Sequence, residues 1–367
     1  MSHALPDSYP HSSPGNPHSL LIVRLGSMGD IIHTLPAASA LRFALPDATI
    51  GWLVEEHWVE LLCALSEPRM GPRSPRRPLV DRIHVVDTKR WRKNLFSTHT
   101  WERLAAALSE LKAQHYEVAV DFQGAARSAI LARCSGAPVI YGFRQPRENV
   151  ATMLYTRQVA AEGVHVVEQN LSLARAVLAS LPDSSKIEFP LDQNAENQCD
   201  AWLRSESIGD FVLMNPGAGW GAKQWPSERY GEVAKGLAEF GLRTVVNVGP
   251  GEEKLSEDVE TASKGAAVSI GCSLAELIAL TRKAKLFVGG DTGPMHLAAA
   301  LGIPVVTVFG PTNPARNGPF GSGSIVLRSS ISTTSHSRRS QPDPGLLEIR
   351  AEEVLAAARK LLRETRG

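Results

Sequence analysis

The strongest constraint on the fold lies in residues 287–312, FVGGDTGPMHLAAALGIPVVTVFGPT. An apolar run at 286–288 predicts a strand, and Gly289-Gly290-Asp291-Thr292-Gly293 follows as a turn. An Ala- and Leu-rich helix comes next and stops at Gly302. A second strand at 305–309 ends in Gly310-Pro311-Thr312. Strand, Gly-rich turn, helix and strand in this order form the unit of a parallel sheet, whose ligands sit at the carboxyl ends of the strands. Small residues there leave backbone N–H groups free, and the helix start adds its positive end, which together suit a phosphate or pyrophosphate. A purely structural turn explains a lone Gly-rich loop equally well.

The same alternation recurs along the chain. Residues 20–23 read as a buried strand, Leu25-Gly26-Ser27-Met28-Gly29-Asp30 as its loop, and Ile31 onward as a helix. Strands at 49–54 and 118–121 and helices at 101–114 and 125–134 continue the series. A second series starts near residue 210, with a strand at 211–214, a loop containing Pro216 to Lys223, a helix to residue 240 and a strand at 243–248. Ser273-Leu274-Ala275-Glu276 predicts a capping box. Between the series, 181–197 holds two prolines and few large apolar residues. The expectation is therefore a tail at 1–19, two doubly wound domains at 20–185 and 186–345 facing a cleft, and a terminal helix at 346–367. That helix carries an apolar stripe needing a surface to dock on, and the far side of the domain boundary is one candidate.

Composition narrows the function. The chain has 367 residues, net charge +1, 43% hydrophobic and 21% charged residues, all ordinary for a globular protein and against a general nucleic-acid binder. Four scattered cysteines without a C-x-x-C argue against disulfide scaffolds and zinc sites and for a cytoplasmic protein. No apolar run is long enough to span a bilayer. Residues 1–19 are rich in Pro, Ser and His and lack signal-peptide features, so they read as a disordered tail.

Several residues offer chemistry beside a plainer role. Asp30, at a strand-to-helix junction, reads as a helix cap or as a general base facing the cleft. Lys223 follows a Gly-rich loop that is not a P-loop, and reads as a surface lysine or a diphosphate contact. Asp291 and Thr292 read as turn and cap or as sugar ligands, and His296 as a structural donor or a group facing phosphates. Glu252 and Glu253 follow a strand, where an acidic side chain suits ribose hydroxyls or simply starts a helix. From Arg69 to Lys93 there are nine cations against Asp81 and Asp87, a local +7. Charge so concentrated suggests an anionic partner, whether phosphorylated substrate, membrane surface or nucleic acid, or a solvated flexible loop.

Taken together, the motifs resemble the ADP-heptose:lipopolysaccharide heptosyltransferases over about residues 20–321. Residues 25–36, LGSMGDIIHTLP, resemble the family's N-terminal signature. Arg90-Trp91-Arg92-Lys93 and Asp121-Phe122-Gln123-Gly124 resemble motifs of its heptosyltransferase I branch. Lys223-Gln224-Trp225-Pro226, Asp291 to His296 and Gly310-Pro311-Thr312 resemble its nucleotide-sugar motifs. The resemblance implies a GT-B fold, two Rossmann-like domains with acceptor in the N-terminal and nucleotide sugar in the C-terminal one. It implies inverting transfer of heptose from ADP-heptose to Kdo of the lipid A inner core, at the inner face of the inner membrane, without an obligatory cofactor or metal. By matching position, Asp30 would be the base and Lys223 would contact the diphosphate. Gly219, by its backbone amide, and Asp291, Thr292, Gly293 and His296 would bind the ADP-sugar. Glu252 or Glu253 would take the ribose, and Cys272 would lie near adenine. Arg90, Arg92, Lys93 and Gln123 would meet the acceptor. Where some relatives carry hydroxyl residues before the lysine, this chain has Ala218 and Gly219, and Arg69 to Arg77 reads as an insertion. The alternatives are a second-heptose or other ADP-sugar transferase, and a non-catalytic nucleotide-sugar binder, against which Asp30 counts.

Overall fold

The computed structural model describes residues 16–364 except 94–96, 179–180, 182–186, 322, 336 and 338. Most of the predicted tail, and the predicted boundary at 185/186, therefore lie outside the described residues. Among the described residues, twelve strands form two six-stranded sheets. The first holds β1 (Ser19–Val23), β2 (Thr49–Glu55), β3 (Arg82–Val86), β4 (Val118–Asp121), β5 (Val139–Phe143) and β6 (Arg157–Val159). The second holds β7 (Phe211–Asn215), β8 (Arg243–Val248), β9 (Ala267–Gly271), β10 (Leu286–Gly290), β11 (Val305–Phe309) and β12 (Ser324–Arg328). The helices are α1 (Met28–Ala44), α2 (Thr88–Lys93), α3 (Thr98–Lys112), α4 (Ala126–Cys134), α5 (Val166–Val177), α6 (Gln193–Ser205) and α7 (Ser227–Ala238). They continue with α8 (Glu253–Ser263), α9 (Leu274–Lys283), α10 (Gly293–Ala300), α11 (Pro314–Asn317), α12 (Pro344–Glu348) and α13 (Ala351–Glu364).

Every strand pairing is parallel. The first sheet runs β3-β2-β1-β4-β5-β6 and the second β12-β11-β10-β7-β8-β9. Counted within its own half, each follows the same doubly wound order, with the winding reversing between the first and fourth strands. Those strands, β1, β4, β7 and β10, are covered on both faces. Their continuous apolar sequences follow from that, because neither face meets water.

One apolar cluster runs from Ile22 and Trp52 on the first sheet, through Ile31, Leu35 and Met295, to Leu213 and Phe287 on the second. Helices α1 and α10 meet within it. Their N-terminal turns approach too closely for side chains: a Cβ on Gly29 would lie 2.7 Å from the His296 ring, and one on Gly293 would lie 2.5 Å from Met28 Sδ. The terminal helix does not reach back across the boundary. Val354, Ala358 and Leu361 of α13 bury in the second half's own core, and α13 packs on α7 and on β10 to β12. Pro226 is the N-cap of α7, and Ser273 caps α9 through the predicted box. Among the described residues, no helix is long and apolar enough to cross a membrane.

Candidate active site

A cleft of about 790 Å³ opens where the two winding reversals face each other. The loops after the four central strands line it, beside others: Arg24 to Asp30 after β1, Phe122 to Gly124 after β4, Trp220 to Lys223 after β7, and Asp291 to His296 after β10. All four leave the carboxyl ends of the central strands, where a parallel sheet places its ligands. Of the sequence-predicted residues, Asp30, Gln123, Lys223, Asp291, Thr292, Gly293 and His296 come together here.

Asp30 stands at the third position of α1 and also lines the cleft. Ser27 is the N-cap of α1, and one Asp30 oxygen accepts from the Ser27 amide at 3.0 Å. The other oxygen pairs with Arg24 Nη2 at 2.7 Å. Arg24 is buried and also donates to the Phe122 carbonyl. Burial pushes the Asp30 carboxyl up, but Arg24, the Ser27 amide and hydroxyl, and Arg147 outweigh it and hold it below its ordinary value. A fixed, ionised carboxylate therefore faces the cleft. Gln123 serves the same loop: its side-chain oxygen accepts from the Leu25 and Gly26 amides at 3.1 and 3.4 Å.

The second half contributes a relay of charges. Lys223 Nζ lies 2.5 Å from Asp291 Oδ2 and 4.4 Å from the centre of the Trp220 ring. Asp291 Oδ1 lies 3.4 Å from His296 Nε2, and His296 Nδ1 lies 3.0 Å from His33 Nε2. Burial pushes the Asp291 carboxyl up, yet the His296 and Lys223 contacts hold it well below the usual carboxylate range. Burial drives His33 well below the usual imidazole range, reinforced by His296, His165, Arg24 and Arg316, so His33 is neutral. With His296 donating from Nε2 to Asp291, its Nδ1 accepts, and His33 donates from Nε2. This pair joins α1 to α10 across the two halves. His165 adds a second link, its Nε2 lying 3.0 Å from the Gly318 carbonyl.

The predicted nucleotide-binding residues divide. Glu253 and Cys272 line a separate hollow of about 550 Å³ at the ends of β8 and β9, with Ser256 and Ser269. Glu252 turns instead toward Gly217, accepting from the Gly249 amide at 3.0 Å, and burial pushes its carboxyl up. Burial pushes the Cys272 thiol up to about 12, so it stays protonated and packs as an apolar group. Gly219 is exposed at the tip of its loop, with open space around it. Arg90 is exposed on α2 and does not line the cleft, and the side chains of Arg92 and Lys93 lie outside the described residues.

Part of the basic stretch is engaged within the protein. Arg77 is buried, donating to the carbonyls of Pro68, Gly71, Pro72 and Val80. Arg73 lies 3.6 Å from Asp81, and Arg69 lies 3.6 Å from Glu56. Arg77 is thus the organiser of its loop and is not available to an anionic partner.

Sequence reasoning missed Arg24, Arg147, Asn170 and Arg316, all of which line the cleft. Asn170 Nδ2 donates to the His33 carbonyl at 2.9 Å. The Thr312 hydroxyl is buried in the cleft wall without a hydrogen-bond partner among the described residues. Arg24, Arg147, Lys223 and Arg316 face Asp30 and Asp291 here, leaving an excess of positive charge that the starts of α1 and α10 augment. Among the described residues, no group of three or more His, Cys, Asp or Glu is placed to hold a metal ion.

Comparison with known proteins gives this geometry a context. The family model described as glycosyltransferase family 9 (heptosyltransferase) matches residues 104–345. The lipopolysaccharide heptosyltransferase 1 of Pseudomonas aeruginosa is 31% identical over 354 residues, covering 93% of this chain and 94% of that protein. The solved structure of E. coli heptosyltransferase WaaC with ADP superposes with a TM-score of 0.72 at 26% identity, over 95% of this chain and 100% of that one. A family 9 glycosyltransferase from Veillonella parvula superposes with a TM-score of 0.80 at 23% identity, over 95% of this chain and 98% of that one. The fold is the GT-B arrangement of two facing parallel sheets.

Proposed function

The chain belongs to glycosyltransferase family 9, the heptosyltransferases, and from that premise we propose that it transfers L-glycero-D-manno-heptose from ADP-heptose to a Kdo sugar of the lipid A inner core, inverting the anomeric carbon. The observation that carries this reading is the meeting of Asp30, from the first half, with Lys223, Asp291, His296 and the start of α10, from the second, in one cleft. A transferase needs acceptor activation and leaving-group stabilisation on opposite sides of one reacting carbon.

In this mechanism Asp30 accepts the proton of the acceptor hydroxyl as its oxygen attacks the anomeric carbon. Its depressed carboxyl keeps it ionised and ready, and Arg24 fixes its direction. Charge develops on the departing ADP. Lys223, the amides at the start of α10 and the Thr312 hydroxyl stabilise it, so the buried hydroxyl gains its partner only when phosphate is present. The ribose and adenine extend toward the hollow that holds Glu253 and Cys272. Glu253, exposed at the start of α8, is better placed than Glu252, whose carboxylate is already held by Gly249. The first half, bounded at about residue 185, binds the acceptor, with Arg147 and Gln123 at its edge, and the second half binds the donor. The enzyme works in the cytoplasm, seated peripherally on the anionic inner face of the inner membrane that carries the acceptor.

The test is incubation with ADP-heptose and Kdo-bearing lipid A, followed by mass spectrometry of the lipid and anomeric analysis of the product. A lipid heavier by one heptose supports the assignment. No gain with this acceptor, but gain with an acceptor that already carries one heptose, reassigns the enzyme to the second transfer.

A further inference from the structure

The reading above requires a lipid-borne acceptor, and within the basic stretch Arg69, Arg73, Arg77 and Arg82 hold partners inside the protein. Another face has its charge free. On α4, Arg127, Ile130 and Arg133 follow at intervals of three, so they share one outward stripe, and all three are exposed. The 3-10 turn Asn149–Leu154 packs against α4 and exposes Val150 and Met153, again three apart. Met153 is 82% exposed, the highest value among the large apolar side chains of the described residues. Arg144, Arg147 and Arg157 stand exposed on either side of this turn.

Five exposed arginines thus flank three exposed apolar side chains on α4, the turn and the adjoining chain. Among the described residues, no carboxylate pairs with Arg133, Arg144, Arg147 or Arg157. Glu148, beside the turn, accepts from the Ala126 amide at 2.9 Å and is committed to the start of α4. Exposed apolar groups ringed by cations match a surface with an anionic headgroup layer over hydrocarbon. The face also leads directly into the cleft. Gln145, Pro146 and Arg147 line the cleft wall, and the Glu148 amide donates to the Gly124 carbonyl at 2.9 Å, which ties this loop to the one after β4.

We propose that the face formed by α4 and Asn149–Leu154 seats the protein on an anionic lipid bilayer, Val150 and Met153 entering the headgroup boundary and the arginines binding phosphate. The inference rests on the reading that the acceptor is carried by lipid. Seated this way, the acceptor sugar rises past Arg147 to Asp30 while its acyl chains stay in the membrane.

The experiment is co-sedimentation of the full chain with vesicles of phosphatidylethanolamine and phosphatidylglycerol. It compares the parent, the triple variant Arg133→Gln/Arg144→Gln/Arg157→Gln, the pair Val150→Ser/Met153→Ser, and Arg73→Gln/Arg76→Gln in the basic stretch. Each arginine near an anionic surface contributes about fivefold in binding, so the triple variant should lose on the order of a hundredfold. The apolar pair should lose about tenfold. The Arg73/Arg76 variant should bind as the parent does. All substituted side chains are exposed, and melting curves should match. Transfer to a soluble acceptor without acyl chains should be unchanged, while transfer to a vesicle-borne acceptor should fall. If the parent binds and both face variants bind equally well, this face is not the seat. If only the Arg73/Arg76 variant loses binding, the seat is the basic stretch. If the parent fails to bind anionic vesicles, the peripheral-membrane reading itself falls, and this inference with it.

Discussion

Replacing Asp30 by Asn separates the helix cap from the base. The Asn side-chain oxygen still accepts from the Ser27 amide, so the cap survives. What disappears is the negative charge that faces Arg24, whose side chain is only 7% exposed while that of Asp30 is 36% exposed. Breaking a fully buried ion pair costs about 3–5 kcal/mol. Here the partial exposure of Asp30 and the remaining bond from Arg24 to the Phe122 carbonyl reduce that to about 1–2 kcal/mol. Melting should fall by a few degrees. A domain stable by about 5–15 kcal/mol stays folded after that loss, so folding will not explain a lost rate. Transfer should fall by at least ~10²-fold, about 2.7 kcal/mol of barrier, because Asn accepts no proton. The assay is ADP release with and without acceptor, beside calorimetric titration with ADP, whose affinity should hold because the proposed donor site is on the other half. A variant that transfers at near the parental rate would refute the base assignment and leave Asp30 as a cap alone.

Three further outcomes test the same site. Arg24→Met removes the main group holding the Asp30 carboxyl down, so the acidic limb of kcat/KM should move to higher pH; a pH profile superposable on the parent's would sink the positioning role. Lys223→Ala should weaken ADP binding by roughly tenfold, the low end for a charged hydrogen bond because Lys223 must first leave Asp291, and unchanged affinity by calorimetry would remove it from the donor site. His33 is neutral when folded but titrates near 6.5 when unfolded, so the unfolded chain binds more protons as pH falls through that value. Stability should therefore be full above about pH 6.5 and decline below it; His33→Gln should flatten that slope, leaving a remainder from His165, and an equal slope in both proteins would count against the assignment.

The parts of this molecule legible in sequence are those set by local chemistry. Continuous apolar strands, glycines at strand ends and the Ser273 capping box mark the parallel units without tertiary information. Asp30, Lys223 and Asp291 were visible because each closes a Gly-containing loop after a strand. Arg24 was missed because it reads as the end of the β1 run, although a cation six residues before Asp30 in so short a loop could have suggested the pair. Arg147, Asn170 and Arg316 come from distant parts of the chain, and only the packing of α1 on α10 and α5 brings them in. Arg77 was misjudged for a related reason: composition counts its charge, while a turn of four inward carbonyls is invisible until the loop closes. Docking of α13 likewise depends on a tertiary surface, which its amphipathic stripe requires but does not name.

The surplus of positive charge in the cleft has a kinetic consequence. A sugar diphosphate that loses its sugar gains roughly one more negative charge at neutral pH. With the donor on the second half as proposed, Lys223, Arg316 and the start of α10 should therefore grip the spent nucleotide more firmly than the intact donor. In the proposed mechanism the features that lower the barrier to bond cleavage would also slow escape of what is left, and turnover should then be limited by nucleotide departure. ADP should inhibit competitively with an inhibition constant below the KM for the donor, both rising with ionic strength; an ADP that inhibits only well above that KM would show that the charge is spent elsewhere.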